Sequence, residues 1–575
     1  MKYSNSNIII LSLILFILNP FVLFAEKKEI PINYFRAPVD FTMTLAGNFG
    51  ELRNNHFHSG IDIRTFTTGK KVYAAADGYV SRIKVSATGY GKALYIDHPN
   101  GYTTVYAHLS RFNPEIEAFI KTYQSHKKSF AVDLNLAKNQ FVVEKGNIIA
   151  YSGNSGTSGG PHLHFEIRET KSEHPLNPLL FGFKIKDTTP PKIFNLYIYP
   201  KDSLSSVNGN NSRLKFPVTF YNNAFHLKGD PAIKLSGKIG FAIQCYDYLD
   251  NTWGKCGIYK LQLKINDSLI TKYQFDEFSF DETRYINSLI DYGLNISENR
   301  RIYKTFREPN NKLDIYQTVK NNGIFQFKKE VKYKITLIAS DNKNNQSKLS
   351  FHAEGFSIHK AFPKAEFTKI MNYENPNSFS NSQIKASFPI NSFYSNINFD
   401  YSTRKDISFL SPIHSIHNEL TAVHRYYTLS IKTPFSRKSL FNKLLIVRIN
   451  KKDELVNEGG VYIDGWVKTK TRYFGDFAVT IDTIAPSIKL SNGLKKKNYS
   501  KNKHIDFIIK DELAGIKSYN GFIDGKWVLF EYDKKNNRLQ YYFDIRRLKR
   551  GNHQIKLTII DFVGNKSDFT SNFYW

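Results

Sequence analysis

No stretch restricts the fold more than Gly153–Arg168, GNSGTSGGPHLHFEIR, in which a glycine-rich turn runs into a short strand bearing two histidines two residues apart. Strand side chains alternate between faces, so His162, His164 and Glu166 project one way and Leu163, Phe165 and Ile167 the other. The apolar set is suited to a core, while both imidazoles are offered to one site. Imidazole is a frequent zinc ligand and a frequent general base, so a paired display on one rigid strand has an evident chemical use. Two histidines do not close a metal site, however, and the other ligands must come from elsewhere in the chain.

His58-Ser-Gly-Ile-Asp62 offers candidates. Taken as a strand, positions 58, 60 and 62 share a face, and Gly60 leaves room for something to approach between the imidazole and the carboxylate. His58, Asp62 and one histidine of the later strand make a three-ligand set with an open position. That is the pattern of catalytic zinc, since structural zinc is usually closed by four protein ligands. Tyr106-Ala-His108-Leu109 ends a further predicted strand. Alternation there turns Val105, Ala107 and Leu109 to the core, and Tyr106 and His108 outward with the other site residues.

Together these segments resemble the lysostaphin-type (LytM-like) zinc metallopeptidases, which cleave peptide bonds in bacterial peptidoglycan. The resemblance rests on His58–Asp62 (H-x-x-x-D), Tyr106–His108 (Y-A-H) and Ser152–Glu166 (SGNSGTSGGPHLHFE), with a glycine-rich lead from Gly89 to His98. It covers roughly residues 40–185. It implies one zinc ion held by His58, Asp62 and His164, with His108 and His162 as a non-ligand catalytic pair. It also implies an antiparallel β-sheet catalytic domain of the lysostaphin type (duplicated hybrid motif) whose loops wall a groove. Residues 111–140 lengthen the interval between Tyr106–His108 and the final block. Within them Pro114–Lys127 has apolar residues at helical spacing, acidic residues early and basic ones late, which predicts a helix.

The remainder is expected to be mainly β. Tyr and Phe are abundant, at 35 and 46 residues, and turn-forming Asn is frequent. At 575 residues the chain should hold several domains. Asp187-Thr-Thr-Pro-Pro191 is echoed by Asp482-Thr-Ile-Ala-Pro486, and Asp341–Ser347 by Asp561–Ser567, both Asp-x3-Asn-x-Ser. Repeated openings and endings around β segments resemble bacterial Ig-like sandwich modules. The expected organisation is a signal peptide at 1–25 and a metallopeptidase domain at 26–187. An Ig-like β domain at 188–360, a β-rich domain of unassigned type at 361–481 and a second Ig-like domain at 482–575 follow.

Met1–Ala25, with Lys2, an apolar run and charged Glu26 beyond, has the form of a secretory leader, and no later stretch is apolar enough to span a bilayer. In an exported protein, Cys245 and Cys256 are expected to form a local disulfide. The net charge is +29. Export argues against nucleic acid as the partner and towards anionic envelope polymers, beside peptidoglycan and other envelope proteins. His56 and His98 stand near the motifs. His414, His417 and His424 cluster without a carboxylate or cysteine at zinc spacing. The rival expectations are an inactive envelope regulator that binds wall or activates an amidase, and an adhesion protein acting through its β domains.

Overall fold

The computed structural model describes residues 29–575 apart from 251, 253, 358–360, 364–365 and 492–496. The expected signal peptide at 1–25 lies outside the described residues. The first domain is built on strands β1 (Leu45–Gly47), β2 (Ile61–Arg64), β3 (Lys71–Tyr73), β4 (Gly78–Val85), β5 (Lys92–Asp97), β6 (Tyr102–Leu109), β7 (Arg111–Phe112), β8 (Val132–Asn135), β9 (Ile148–Tyr151) and β10 (His162–Glu169). The main sheet runs β1-β2-β10-β6-β5-β4-β8, and a smaller one runs β3-β9-β7. All these pairings are antiparallel. The expected alternation along β10 holds, with Leu163, Phe165 and Ile167 fully buried in the domain core beside Ile61, Ile63 and Ile149.

The predicted helix is α1 (Pro114–Lys127). The Asn113 side chain caps it by accepting from the Ile116 amide at 3.0 Å, and the acidic and basic ends complement its dipole. Ile116 and Ile120 bury its apolar face in the same core. β8, from the same insertion, lengthens the sheet at the edge remote from β1. β8 thus lies at the far edge of the sheet from β2 and β10, while β7, at the start of the insertion, pairs with β9.

Simple alternation fails along β6. Tyr106 points into the core, fully buried, with its hydroxyl accepting from the Ala75 amide at 2.8 Å. Val105 and Ala107 lie on the opposite face with Tyr95. The strand then bulges: Lys92↔Leu109 and Leu94↔Tyr106 are paired, so three steps on β6 face two on β5. The extra residue is accommodated by His108, whose φ is +58°. Tyr106 and Leu109 therefore both face the core, and His108 is left on the site side although Tyr106 is not.

Beyond Asp187 the chain is again β. A 12-stranded sheet follows, and it includes β11 (Lys192–Pro200), β12 (Lys234–Tyr246) and β13 (Lys332–Ser340); two five-stranded and two four-stranded sheets come after it. The sequence echoes are physical pairs. Asn345 Nδ2 donates to the Asp187 carbonyl at 3.2 Å, and Asn565 Nδ2 to that of Asp482 at 3.0 Å. Ser347 and Ser567 donate to the carbonyls of Pro191 and Pro486. In each case the Asp-x3-Asn-x-Ser ending closes on the Asp-Thr-x-x-Pro opening.

A hairpin of the first domain inserts into the core of the second. Phe49, Leu52 and Phe57, from the hairpin just before His58, are buried in an apolar cluster made mostly by residues between Ile193 and Ala353, with Tyr394 and Ala422. Phe49 stacks on Phe278, and Phe57 packs on Phe275. Cys245 and Cys256 do not form the expected disulfide. Both cysteines are buried free thiols. Cys245 packs into the core of the second domain and Cys256 into that of the first, so the two side chains serve opposite sides of the seam.

Candidate metal centre

β10 lies between β2 and β6, with His164 opposite Asp62 on one side and Ala107 on the other. This register brings the sequence-predicted residues together. His58 Nε2 lies 3.0 Å from Asp62 Oδ1 and 3.0 Å from His164 Nδ1, and His164 Nδ1 lies 2.9 Å from Asp62 Oδ1. All three residues are buried. His162 Nε2 is 3.4 Å from Asp62 Oδ1. The His108 ring centroid lies 4.8 Å from that of His162 and 5.8 Å from that of His164. His58 itself precedes β2. Gly60 does leave room for an approach, but what approaches is backbone: a Cβ there would strike the Phe165 carbonyl.

Each imidazole is oriented by a partner on its far side. The Nδ1–H groups of His58, His108 and His162 donate to the carbonyls of Asn48 (2.8 Å), Ser155 (2.9 Å) and Gly160 (2.9 Å), leaving Nε2 for the site. His164 is reversed, with Nε2–H donating to Glu166 Oε1 at 2.7 Å and Nδ1 facing inward. Asp62 Oδ2 is held by Arg53 at 2.7 Å, and burial is outweighed by His58, His162 and His164, so its pKa lies well below the usual carboxylate range. Two nitrogen lone pairs and a carboxylate oxygen therefore converge within hydrogen-bonding distance with no donor between them. Such a set calls for a shared proton or a cation. Burial opposes charge on His164, but hydrogen bonds to Asp62 and Glu166 raise its pKa to about 9, so in the bare protein it takes the proton. Two histidines and an aspartate with an open side fit catalytic zinc.

Several contributors were missed by motif reading. Glu166 is fully buried, and its Oε1 accepts from Ser59 (2.5 Å), Tyr90 (2.5 Å) and His164, while Oε2 accepts from Arg168 at 2.6 Å. Burial alone would raise the pKa of Glu166; Arg168 and His164 reverse that and hold it below the carboxylate range. The alternation that aligned His162 and His164 already placed Glu166 on the same face, and Arg168 is the next residue along it. Arg53, Asn48 and Tyr90 left no such signal, because their contacts join distant segments. Asn48 is fixed by the second domain through reciprocal bonds with Gly257, at 2.7 and 2.8 Å. The last domain reaches back as well: Glu531 pairs with Lys92 at 3.0 Å, and Lys535 donates to the carbonyls of Asn154 and Ser158 in the glycine-rich loop.

The other histidines lie elsewhere. His56 is exposed on the hairpin. His98 is buried, bonded to the Asp77 carbonyl and Thr104. His414 meets Tyr401, His417 meets Thr421, and His424 stacks on Tyr285, so the three serve separate contacts.

Comparison with known proteins agrees with this geometry. Peptidase family M23 matches residues 56–178, and a Zu5-like domain matches residues 368–482, the region whose pattern had no assignment. A protein of Haemophilus influenzae described as an uncharacterized metalloprotease is 34% identical over 126 residues, 22% of this chain and 22% of its own. The DD-carboxypeptidase/endopeptidase Mpg of Neisseria meningitidis serogroup B is 35% identical over 132 residues, 23% of this chain and 24% of its own. The murein hydrolase activator NlpD of Salmonella dublin is 33% identical over 156 residues, 27% of this chain and 34% of its own. The chain thus spans only about a quarter to a third of the length of these relatives. Within that span, residues 56–178 are a Peptidase family M23 domain, set near the head of a much longer β chain.

Proposed function

We propose that the chain is a zinc-dependent endopeptidase that hydrolyses peptide bonds in peptidoglycan cross-links or stems. The observation that carries this reading is the convergence of His58 Nε2, His164 Nδ1 and Asp62 Oδ1, 2.9–3.0 Å apart, inside a domain matched by Peptidase family M23. In this reading those three residues hold the metal. Bound there, zinc supplies a Lewis acid that polarises the scissile carbonyl and brings the pKa of water to about 7.

The chain's own residues supply the rest. His108 is neutral at working pH, because burial, then the neighbouring His164 and His162, push its pKa down to about 3. Its Nδ1–H is committed to Ser155, so Nε2 keeps a lone pair that would accept a hydrogen bond from the attacking water and orient it. His162, oriented by Gly160 and Ser158, offers its Nε2 from the other side of the same space. Glu166 and Arg53 keep His164 and Asp62 in register.

Residues 26–187 are then the catalytic domain. The β domains at 188–360, 361–481 and 482–575, Ig-like in the first and last case, place it in the envelope. The first 25 residues direct export, and a net charge of +29 favours anionic wall and surface polymers. No helix among the described residues is long and apolar enough to cross a membrane. A regulator of the NlpD kind is the second reading, favoured by the similarity to that activator. Purified cross-linked muropeptide dimers separate the two. The enzyme converts them to monomers unaided in the presence of zinc, whereas a regulator leaves them intact and only accelerates an added amidase.

A further inference from the structure

The two sequence echoes also gather two aspartate triads, Asp187–Asp247–Asp341 and Asp482–Asp511–Asp561, with ligand oxygens within 4.8 Å of one another in each. The frames match. Asp341 Oδ1 accepts from the amides of Lys343 (2.8 Å) and Asn345 (2.9 Å), and Oδ2 from Asn345 Nδ2 (2.7 Å). Asp561 Oδ1 accepts from Val563 (3.0 Å) and Asn565 (2.7 Å), and Oδ2 from Asn565 Nδ2 (2.7 Å).

They differ at the middle aspartate. In the C-terminal copy a turn supplies donors: Asp511 Oδ1 accepts from Leu513 (3.2 Å) and Gly515 (2.5 Å), and Asp482 Oδ2 from Ala514 (2.9 Å). In the first copy, Asp247 is only 2% exposed and its Oδ1 has no hydrogen-bond partner among the described residues. A buried carboxylate oxygen without a donor is costly, and two adjacent carboxylates add to the cost. Asp187 Oδ1 accepts from the Thr189 amide at 3.2 Å and a backbone bond from Tyr248 reaches the Asp247 carboxylate, which leaves Asp247 Oδ1 as the one oxygen of that carboxylate without a donor among the described residues.

We propose that Asp187, Asp247 and Asp341 hold a calcium ion at the seam between the first and second domains. The ligands are oxygen only, with neither imidazole nor thiolate, which selects a hard divalent cation. They come from three separate segments: the domain entry, the end of β12 and the end of β13. Calcium tolerates such irregular sets and fills its shell with carbonyls and water, whereas magnesium demands a near-ideal octahedron. The ion braces the segment that pairs Asp247 with Cys256 and ends in Gly257, the residue that anchors Asn48 behind His58. The site does not depend on the catalytic reading.

The test is equilibrium dialysis of radioactive calcium against the full-length chain with its histidine site filled with zinc, alongside thermal unfolding with and without calcium. The wild type should bind one calcium at millimolar concentration or below, with a higher Tm. Asp247→Asn should bind none and show no calcium-dependent Tm, while Asp511→Asn should match the wild type. If Asp247→Asn does not fold, Asp187→Asn, at a less buried corner, takes its place. A wild type that binds no calcium, or equal binding by Asp247→Asn, overturns the proposal. A proton would then be the occupant, as burial and the neighbouring carboxylates push Asp247 up to about 8.

Discussion

Four imidazoles meet in this site, and the group behind each decides what it presents. Glu166 has the largest share, since it fixes His164 and is itself satisfied by Ser59, Tyr90 and Arg168. Glu166→Gln should weaken zinc binding by about 10–100-fold. It should also destabilise the domain, because buried Arg168 loses its carboxylate partner at 2.6 Å and keeps only Tyr90 at 3.3 Å and Glu173 at 3.6 Å. Competition with a chromophoric chelator measures the first effect, and unchanged affinity would show that the carboxylate does not tune His164. His108 governs a pH response. An unfolded histidine protonates near pH ~6.5, whereas folded His108 resists protonation until about 3. Between those values the unfolded state binds the extra proton. Stability is therefore lost as pH falls from about 6.5, by up to about 1.4 kcal/mol per pH unit for this group. In chelated protein, His108→Asn, whose side chain tolerates the positive φ, should lose stability less steeply than the wild type in acid denaturation. Equal slopes would contradict the buried, neutral His108. At this scale the strand parity of His162 and His164 was legible from alternation. The cysteine pairing was not, because spacing does not say which core each thiol faces.

At the level of elements, the site depends on one bulge and one close loop contact. Period-two reasoning sent Tyr106 to the site with His108, and the extra residue in β6 is why only His108 arrives. A bulge leaves no mark on alternation until the partner strand is known. The loop before β10 was recognisable by its glycines, and the structure shows the reason. Gly156 has φ +70°, and a Cβ there would overlap the Gly89 carbonyl and the Gly91 amide. Gly156→Ala should push the loop away from β5 and withdraw the Ser155 carbonyl from His108. Turnover should fall by at least about tenfold, as expected when a reacting group is misplaced, while zinc content is unchanged. Wild-type turnover would show that the loop does not position His108.

For the whole molecule, sequence echoes marked the domain openings and endings, but not the joining of the first two domains. Phe49, Leu52 and Phe57 lie before His58 in sequence yet belong to the core of the second domain. That crossing joins residues more than a hundred positions apart and has no local pattern. Exposing three such side chains costs on the order of 5 kcal/mol, comparable with the whole stability of many domains. Residues 26–187 alone should therefore unfold at a lower temperature than the full chain and bind a hydrophobic dye. A fragment with an undiminished Tm would mean that burial of the hairpin in the second domain is dispensable. Mass analysis of fragments released from purified sacculi tests most directly whether the chain is a zinc peptidase acting on peptidoglycan. The full chain should release cross-bridge or stem fragments, lose that activity to a chelator and regain it with zinc, while His164→Ala releases none. No release by the zinc-loaded wild type, or equal release by His164→Ala, would contradict it.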